Sequence, residues 1–119
     1  MALISQRLGR NQHLQTAATN KPPLRAGSNG EGVKTLQAAL VELRFRMPIS
    51  THNGKIAGDG IYGEETTKTV RLFQQQQGLS ADGIAGTDTL NRLDQIFVGR
   101  EAKASTRDRF FDMLNTLWT

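Results

Sequence analysis

Gly58-Asp59-Gly60-Ile61-Tyr62-Gly63 has the G-x-G-x-x-G spacing of a dinucleotide-binding turn, in which glycines let the backbone approach a pyrophosphate. Asp59 stands close in sequence to Glu64 and Glu65, and paired carboxylates are the equipment of glycoside hydrolysis. An aspartate in a glycine-rich turn is also a calcium-type feature, and His13 and His52 are the zinc-type donors. Each of these chemistries requires a context that the chain lacks. The nucleotide fingerprint needs a buried strand and a βαβ unit around it, but only Lys55-Ile56-Ala57 precedes the turn. No G-x-x-x-x-G-K-[ST] loop, no D-x-[DN]-x-[DN]-G loop and no H-E-x-x-H pair occurs. The expectation is therefore no cofactor, no metal and no catalytic set, in a chain that is not an enzyme.

A second copy of the turn gives it another meaning. Asp59, Gly60, Ile61, Gly63, Glu65 and Thr66 are matched in order by Asp82, Gly83, Ile84, Gly86, Asp88 and Thr89. The first glycine is not repeated, since Ala81 replaces it. Asp-Gly makes a tight turn because the carboxylate bonds the backbone two residues on and glycine reaches positive φ. The pattern predicts that each isoleucine drops into a core and that the second glycine releases the chain into a helix. Turn formation and helix starts then account for the carboxylates without catalysis.

The elements around the two turns read as helices. In "GSNGEGVKTLQAALVELRF", Ser28 and Glu31 have capping-box spacing, with Ser28 as N-cap. Val33, Leu36, Leu40 and Leu43 make one apolar stripe, and the helix is expected to end around Arg44–Arg46, before Pro48. Burying each of these side chains stabilises the fold by ~1.5–3 kcal/mol. Asn53-Gly54, flanked by Ile49, Thr51 and Ile56, predicts a short hairpin or ordered loop. A second helix follows Gly63, with Thr66, Thr69, Val70 and Phe73 facing inward and Gly78 ending it. A third has Thr87 as N-cap, with Leu90, Leu93, Ile96 and Phe97 inward. After a polar linker, Ser105 and Asp108 suggest a fourth start. Phe110, Met113, Leu114, Leu117 and Trp118 then fall on one face.

Composition bounds the function. At 119 residues the chain holds one small domain with extensions. No apolar run approaches the ~20 residues of a membrane span, and "MALISQRLGRNQ" has no continuous apolar core of a conventional signal peptide. Cysteine is absent, which excludes disulfides and thiol chemistry. The net charge of +4 arises from Arg7, Arg10, Lys21 and Arg25, while residues 28–119 hold 11 basic and 11 acidic groups. A nucleic-acid module concentrates its charge on the folded face, so no nucleic-acid partner is expected. Residues 1–23, closing on Lys21-Pro22-Pro23, are expected to form a basic extended arm. The domain proper is expected over 24–97, with a linker and amphipathic helix over 98–119.

The run from Leu24 to Leu93 strongly resembles the peptidoglycan-binding domain carried by many bacterial and phage cell-wall hydrolases. That family's pattern is L-x-x-G-S-x-G-x-x-V-x-x-L-Q, D-G-x-[FY]-G-x-x-T, V-x-x-F-Q-x-x-x-G-L and D-G-x-x-G-x-x-T-x-x-x-L. The four parts occur here in order at Leu24–Gln37, Asp59–Thr66, Val70–Leu79 and Asp82–Leu93. The resemblance implies an all-α fold, a small three-helix bundle, and non-catalytic binding of peptidoglycan that anchors an associated protein at the wall. The loop "RMPISTHNGKIAG" is longer than the family's, and residues 1–23 and 105–119 lie outside its pattern.

Peptidoglycan offers amino-sugar hydroxyls, acetamido groups and peptide carboxylates. A site for it needs amide and hydroxyl partners, an aromatic face and a cation. Candidates near the repeated turn are Tyr62, Arg71, Gln74 and Gln75, with His52 and Asn53 from the inserted loop. Tyr62 is either core or contact, and Gln74 either a structural hydrogen bond or a ligand group. The last helix either folds back to enlarge the core or docks on a protein partner through Phe111, Leu117 and Trp118. Without a recognisable export signal, a wall-binding chain made in the cytoplasm reaches the wall by lysis or carried in a phage-tail-like assembly. The competing expectation is a structural subunit of such a machine.

Overall fold

The computed structural model describes residues 3–47 and 58–118, with side chains through residue 102. Its described residues form five helices and no strand: α1 Gln6–Gly9, α2 Gln12–Ala17, α3 Glu31–Glu42, α4 Glu64–Gln76 and α5 Thr87–Trp118. The fold is all-α. Helices α3, α4 and α5 make the bundle, and α1 and α2 pack across α3 and α5.

The inward stripe of α3 contains Val33, Leu36 and Leu40, as its spacing predicts, together with Ala39, while Leu43 is the C-cap residue and only half-buried. Val70 and Phe73 of α4 and Leu90, Leu93 and Phe97 of α5 complete the core. Phe45 meets the Phe73 ring edge-on, with centroids 6.2 Å apart. Helices α3 and α4 end alike. Phe45 N–H donates to Leu40 O and Arg44 N–H to Val41 O; Leu79 N–H donates to Gln74 O and Gly78 N–H to Gln75 O. These are Schellman closures, with Arg44 (φ 73°) and Gly78 (φ 71°) in the left-handed region they require.

Several expectations are corrected. Residues 3–18 are not an extended arm. Ser5 and Asn11 side chains accept the N–H groups of Leu8 and Leu14 as N-caps of α1 and α2, and Leu3, Leu8, Leu14, Ala17 and Ala18 enter the common core. Acidic side chains of α5 hold the start of α1: Asp94 accepts Ile4 N–H and Ser5 N–H, both at 2.9 Å, and Glu101 accepts Gln6 N–H at 2.9 Å and Arg7 N–H at 3.3 Å. Carboxylates at the positive end of a helix are favoured by its dipole. One basic residue of this segment is drawn in too, since Arg7 pairs with Glu42 of α3 at 2.5 Å, while Arg10 stays exposed.

Ser28 does not cap α3. Its hydroxyl accepts Arg25 N–H at 3.1 Å, and Gly30 is the N-cap. The reason is tertiary: Tyr62 N–H donates to Ser28 O and Gly30 N–H to Gly60 O, which pins residues 28–30 to the first turn as an isolated bridge. Thr87 is the first residue of α5 rather than its cap. Its N–H donates to Asn20 Oδ1 at 3.0 Å and its hydroxyl to Ala18 O at 2.7 Å, so the N-terminal segment supplies the cap.

The expected linker after Gly99 is helical, and α5 runs unbroken through Ser105 to Trp118. Residues 100–104 are Arg, Glu, Ala, Lys and Ala, all strong helix formers, and one glycine costs only about 1 kcal/mol against alanine. The predicted hairpin around Asn53-Gly54 lies outside the described residues.

A candidate ligand groove beside the repeated turn

Each turn is locked by a glutamine from the helix before it. Asp59 Oδ1 accepts Ile61 N–H at 2.9 Å, and Gln37 Nε2 donates to Asp59 Oδ1, Ile61 O and Thr66 Oγ1 at 3.1, 2.9 and 3.0 Å. Gln37 Oε1 in return accepts Gly60 N–H at 3.0 Å. The second turn repeats every contact. Asp82 Oδ1 accepts Ile84 N–H at 2.9 Å, and Gln74 Nε2 donates to Asp82 Oδ1, Ile84 O and Thr89 Oγ1 at 3.0, 3.0 and 2.8 Å. Gly83 N–H donates to Gln74 Oε1 at 2.9 Å. Gly60 and Gly83 carry φ of 77° and 76°, the left-handed conformation the turn demands. Gln37 and Gln74 are 0% and 1% exposed, so their amides have no capacity left for a ligand.

The isoleucines do not drop into the core. Ile61 is 60% exposed, and the following residues, Tyr62 and Ala85, are the ones buried. Ile61 lies in an extended bridge with Asn29, and successive side chains of extended backbone point to opposite sides. Tyr62 therefore reaches inward, and its hydroxyl donates to Gly83 O at 2.5 Å, joining the first turn to the second. Burial, and after it the Asp82 carboxylate, raises the phenol's pKa above its ordinary 10.0, against a smaller pull from Arg71. Tyr62→Phe is expected to cost about 1–2 kcal/mol by leaving Gly83 O unpaired. Because the native phenol holds its proton more tightly than the unfolded one, its contribution is intact below pH 10 and is lost as pH rises further. Urea unfolding from about pH 9 to 11 should show wild type losing stability more steeply than Tyr62→Phe.

Above the buried ring lies a groove of about 550 Å³. Ala26 and Gly27 form one wall, and Glu64, Thr67, Lys68 and Arg71 of α4 the other. Glu64, Lys68 and Arg71 fall at i, i+4 and i+7, are exposed, and make no hydrogen bond or ion pair with another described residue. Of the predicted site residues, Arg71 lines the groove and Tyr62 closes its floor with 1% exposure. Gln75 sits one turn beyond Arg71 on the exposed face without lining the groove, and Gln74 is committed to the second turn. His52 and Asn53 lie outside the described residues, as do the side chains of Phe111, Leu117 and Trp118. Lys68, Thr67 and Gly27 were not singled out from the sequence; the helical spacing of Lys68 with Glu64 and Arg71 was the available signal. No group of acidic and histidine side chains able to hold a metal occurs among the described residues. No helix there is long and apolar enough to cross a membrane.

Three helices strung on two glutamine-locked turns define a small all-α binding module. The family model described as "Putative peptidoglycan binding domain" matches residues 29–93, more than half of the chain. The chain belongs to that peptidoglycan-binding family. It is 44% identical over 73 residues to the N-acetylmuramoyl-L-alanine amidase CwlL of Bacillus licheniformis, covering 61% of this chain and 19% of that protein. It is 38% identical over 81 residues to a spore cortex-lytic enzyme of Oceanobacillus iheyensis, covering 68% and 26%. It is 37% identical over 73 residues to the zinc D-Ala-D-Ala carboxypeptidase of Streptomyces albus G, covering 61% and 26%. The chain thus matches about a fifth to a quarter of the length of these relatives. The crystal structure of the SleB N-terminal domain superposes with a TM-score of 0.55 at 32% identity, covering 66% of this chain and 97% of that one.

Proposed function

We propose that this chain binds peptidoglycan without cleaving it and holds an attached or associated protein at the bacterial cell wall. The observation that carries the reading is the groove between Gly27 and α4, where Glu64, Lys68 and Arg71 have no ion-pair partner among the described residues and stand over the buried Tyr62 ring. Such charges need break no existing ion pair to meet a ligand, which offsets the ~0.5–1.5 kcal/mol it costs to order each long side chain. The non-catalytic part of the reading rests on Asp59 and Asp82, whose carboxylates are tied into the turns they shape. It also rests on the relatives, whose names describe hydrolysis while the shared portion is a minor part of their length.

The test is co-sedimentation with isolated sacculi at moderate salt. The protein is expected in the pellet, while the supernatant gains neither reducing ends nor free amines on incubation. Protein that stays in solution contradicts wall binding, and released fragments contradict the non-catalytic role.

A second reading is favoured by the unbroken course of α5 to Trp118. The sequence places Phe111, Leu117 and Trp118 on this extension, which would grip a protein partner in a larger assembly. Removing residues 105–119 should then abolish that association and leave sacculus binding unchanged.

A further inference from the structure

The two turns launch helices in the same register, so the groove on α4 has a counterpart on α5. In that register Gly63, Glu64, Thr67, Lys68 and Arg71 correspond to Gly86, Thr87, Leu90, Asn91 and Asp94. The counterpart is filled by the chain's own N-terminal segment. A Cβ on Gly86 would overlap the Asn20 side chain and touch Pro23, whereas one on Gly63 meets nothing within 4 Å. Thr87 binds Asn20 Oδ1 and Ala18 O, and Asp94 receives the N–H groups of Ile4 and Ser5. One copy of this surface therefore already holds a peptide, by main-chain groups of Ile4, Ser5 and Ala18 and the side chain of Asn20.

The charge at the corresponding position is reversed. Asp94 takes peptide N–H donors, while the open copy has Arg71, with Lys68 replacing Asn91. Two cations on one helix face call for acceptors, and a guanidinium matches a carboxylate with two parallel hydrogen bonds. Sugar rings commonly stack on an exposed aromatic face, and the one ring among the described residues at this groove, Tyr62, is 1% exposed with its hydroxyl on Gly83 O.

We propose that the open groove binds the peptide stems of peptidoglycan, held by their carboxylates on Lys68 and Arg71, rather than the glycan strand. Glu64, at the place of Thr87, receives the amine or amide donors of the same peptide. The proposal rests on the wall-binding reading and narrows it to one component of the polymer.

The probes are the synthetic stem peptide L-Ala-γ-D-Glu-meso-diaminopimelate-D-Ala, the same peptide with its carboxyl groups amidated, and glycan strands freed of peptide by an amidase. In NMR titrations of the full chain, the free-acid peptide should shift the amide resonances of Gly27, Gly63 and Thr67. Amidation, or the double substitution Lys68→Ala with Arg71→Ala, should weaken binding by about tenfold or more. Both residues are exposed, so the doubly substituted protein should melt with wild type. If peptide-free glycan binds as tightly as intact sacculi and the peptide moves no resonance, the inference is overturned while wall binding stands. If intact sacculi are not bound at all, wall binding and the inference fall together.

Discussion

Gln74→Ala is expected to lower the unfolding free energy by about 3–5 kcal/mol. The side chain makes four hydrogen bonds while 1% exposed. Truncation leaves Gly83 N–H without a partner, at ~1–3 kcal/mol for a buried orphan, leaves Ile84 O with only the long 3.4 Å bond from Thr89 Oγ1, and opens a cavity besides. For a domain of this size the loss corresponds to a melting temperature lower by roughly 12–20 °C. Gln74→Glu separates hydrogen bonding from packing. It keeps the volume but turns the donor end into an oxygen that faces Asp82 Oδ1 and Ile84 O, and it should destabilise at least as much as alanine. The neighbouring Gln75→Ala, on the exposed face, should stay within about 0.5 kcal/mol of wild type. Thermal melts of the three proteins check the set. A Gln74→Glu protein that melts with wild type would mean that the turns are held by something other than the glutamines. Gln37 makes the same contacts to the first turn and should behave as Gln74 does.

The second large effect concerns the N-terminal segment. Leu14→Ala is expected to cost about 2–5 kcal/mol, because Leu14 is 0% exposed and its removal leaves a cavity between α2 and the bundle. A solvated arm would give a change near zero, so this single substitution separates the two pictures by chemical denaturation. Deleting residues 1–20 goes further. It removes Leu3, Leu8, Leu14, Ala17 and Ala18 from the core, along with the Asn20 bond to the first N–H of α5. The shortened chain should bind a hydrophobic dye on the uncovered faces of α3 and α5 and unfold at markedly lower denaturant. Unchanged stability would show that the contacts of α1 and α2 contribute nothing net.

These two predictions mark different depths of legibility. The bundle helices could be read from residues alone because their signals are local. The apolar stripe of α3, the carboxylates opening α4 and Gly78 closing it all act within a turn or two of the residue concerned. The repeated Asp-Gly-Ile-x-Gly was legible for the same reason, since Asp59 and Asp82 each bond an N–H two residues on. Helices α1 and α2 were not, because 4 and 6 residues are too few for a period to emerge. Helices so short are stable only through tertiary contacts.

The lesson of the G-x-G-x-x-G spacing follows the same division. Its residue types and its second copy ruled out a phosphate cradle, assigned the chain to an all-α wall-binding family and placed the turns. Ile61 points outward because its backbone bridges Asn29, a pairing that no local rule announces. The glutamines that lock the turns come from a preceding helix, with Gln37 separated from Asp59 by 22 positions. Which of two equivalent helix faces is open was likewise a tertiary outcome. The chain folds its own first residues over Thr87 and Asp94 and leaves Lys68 and Arg71 facing solvent. Local preferences live in the residue order, whereas contacts between distant segments exist only once burial of a shared core has brought those segments together.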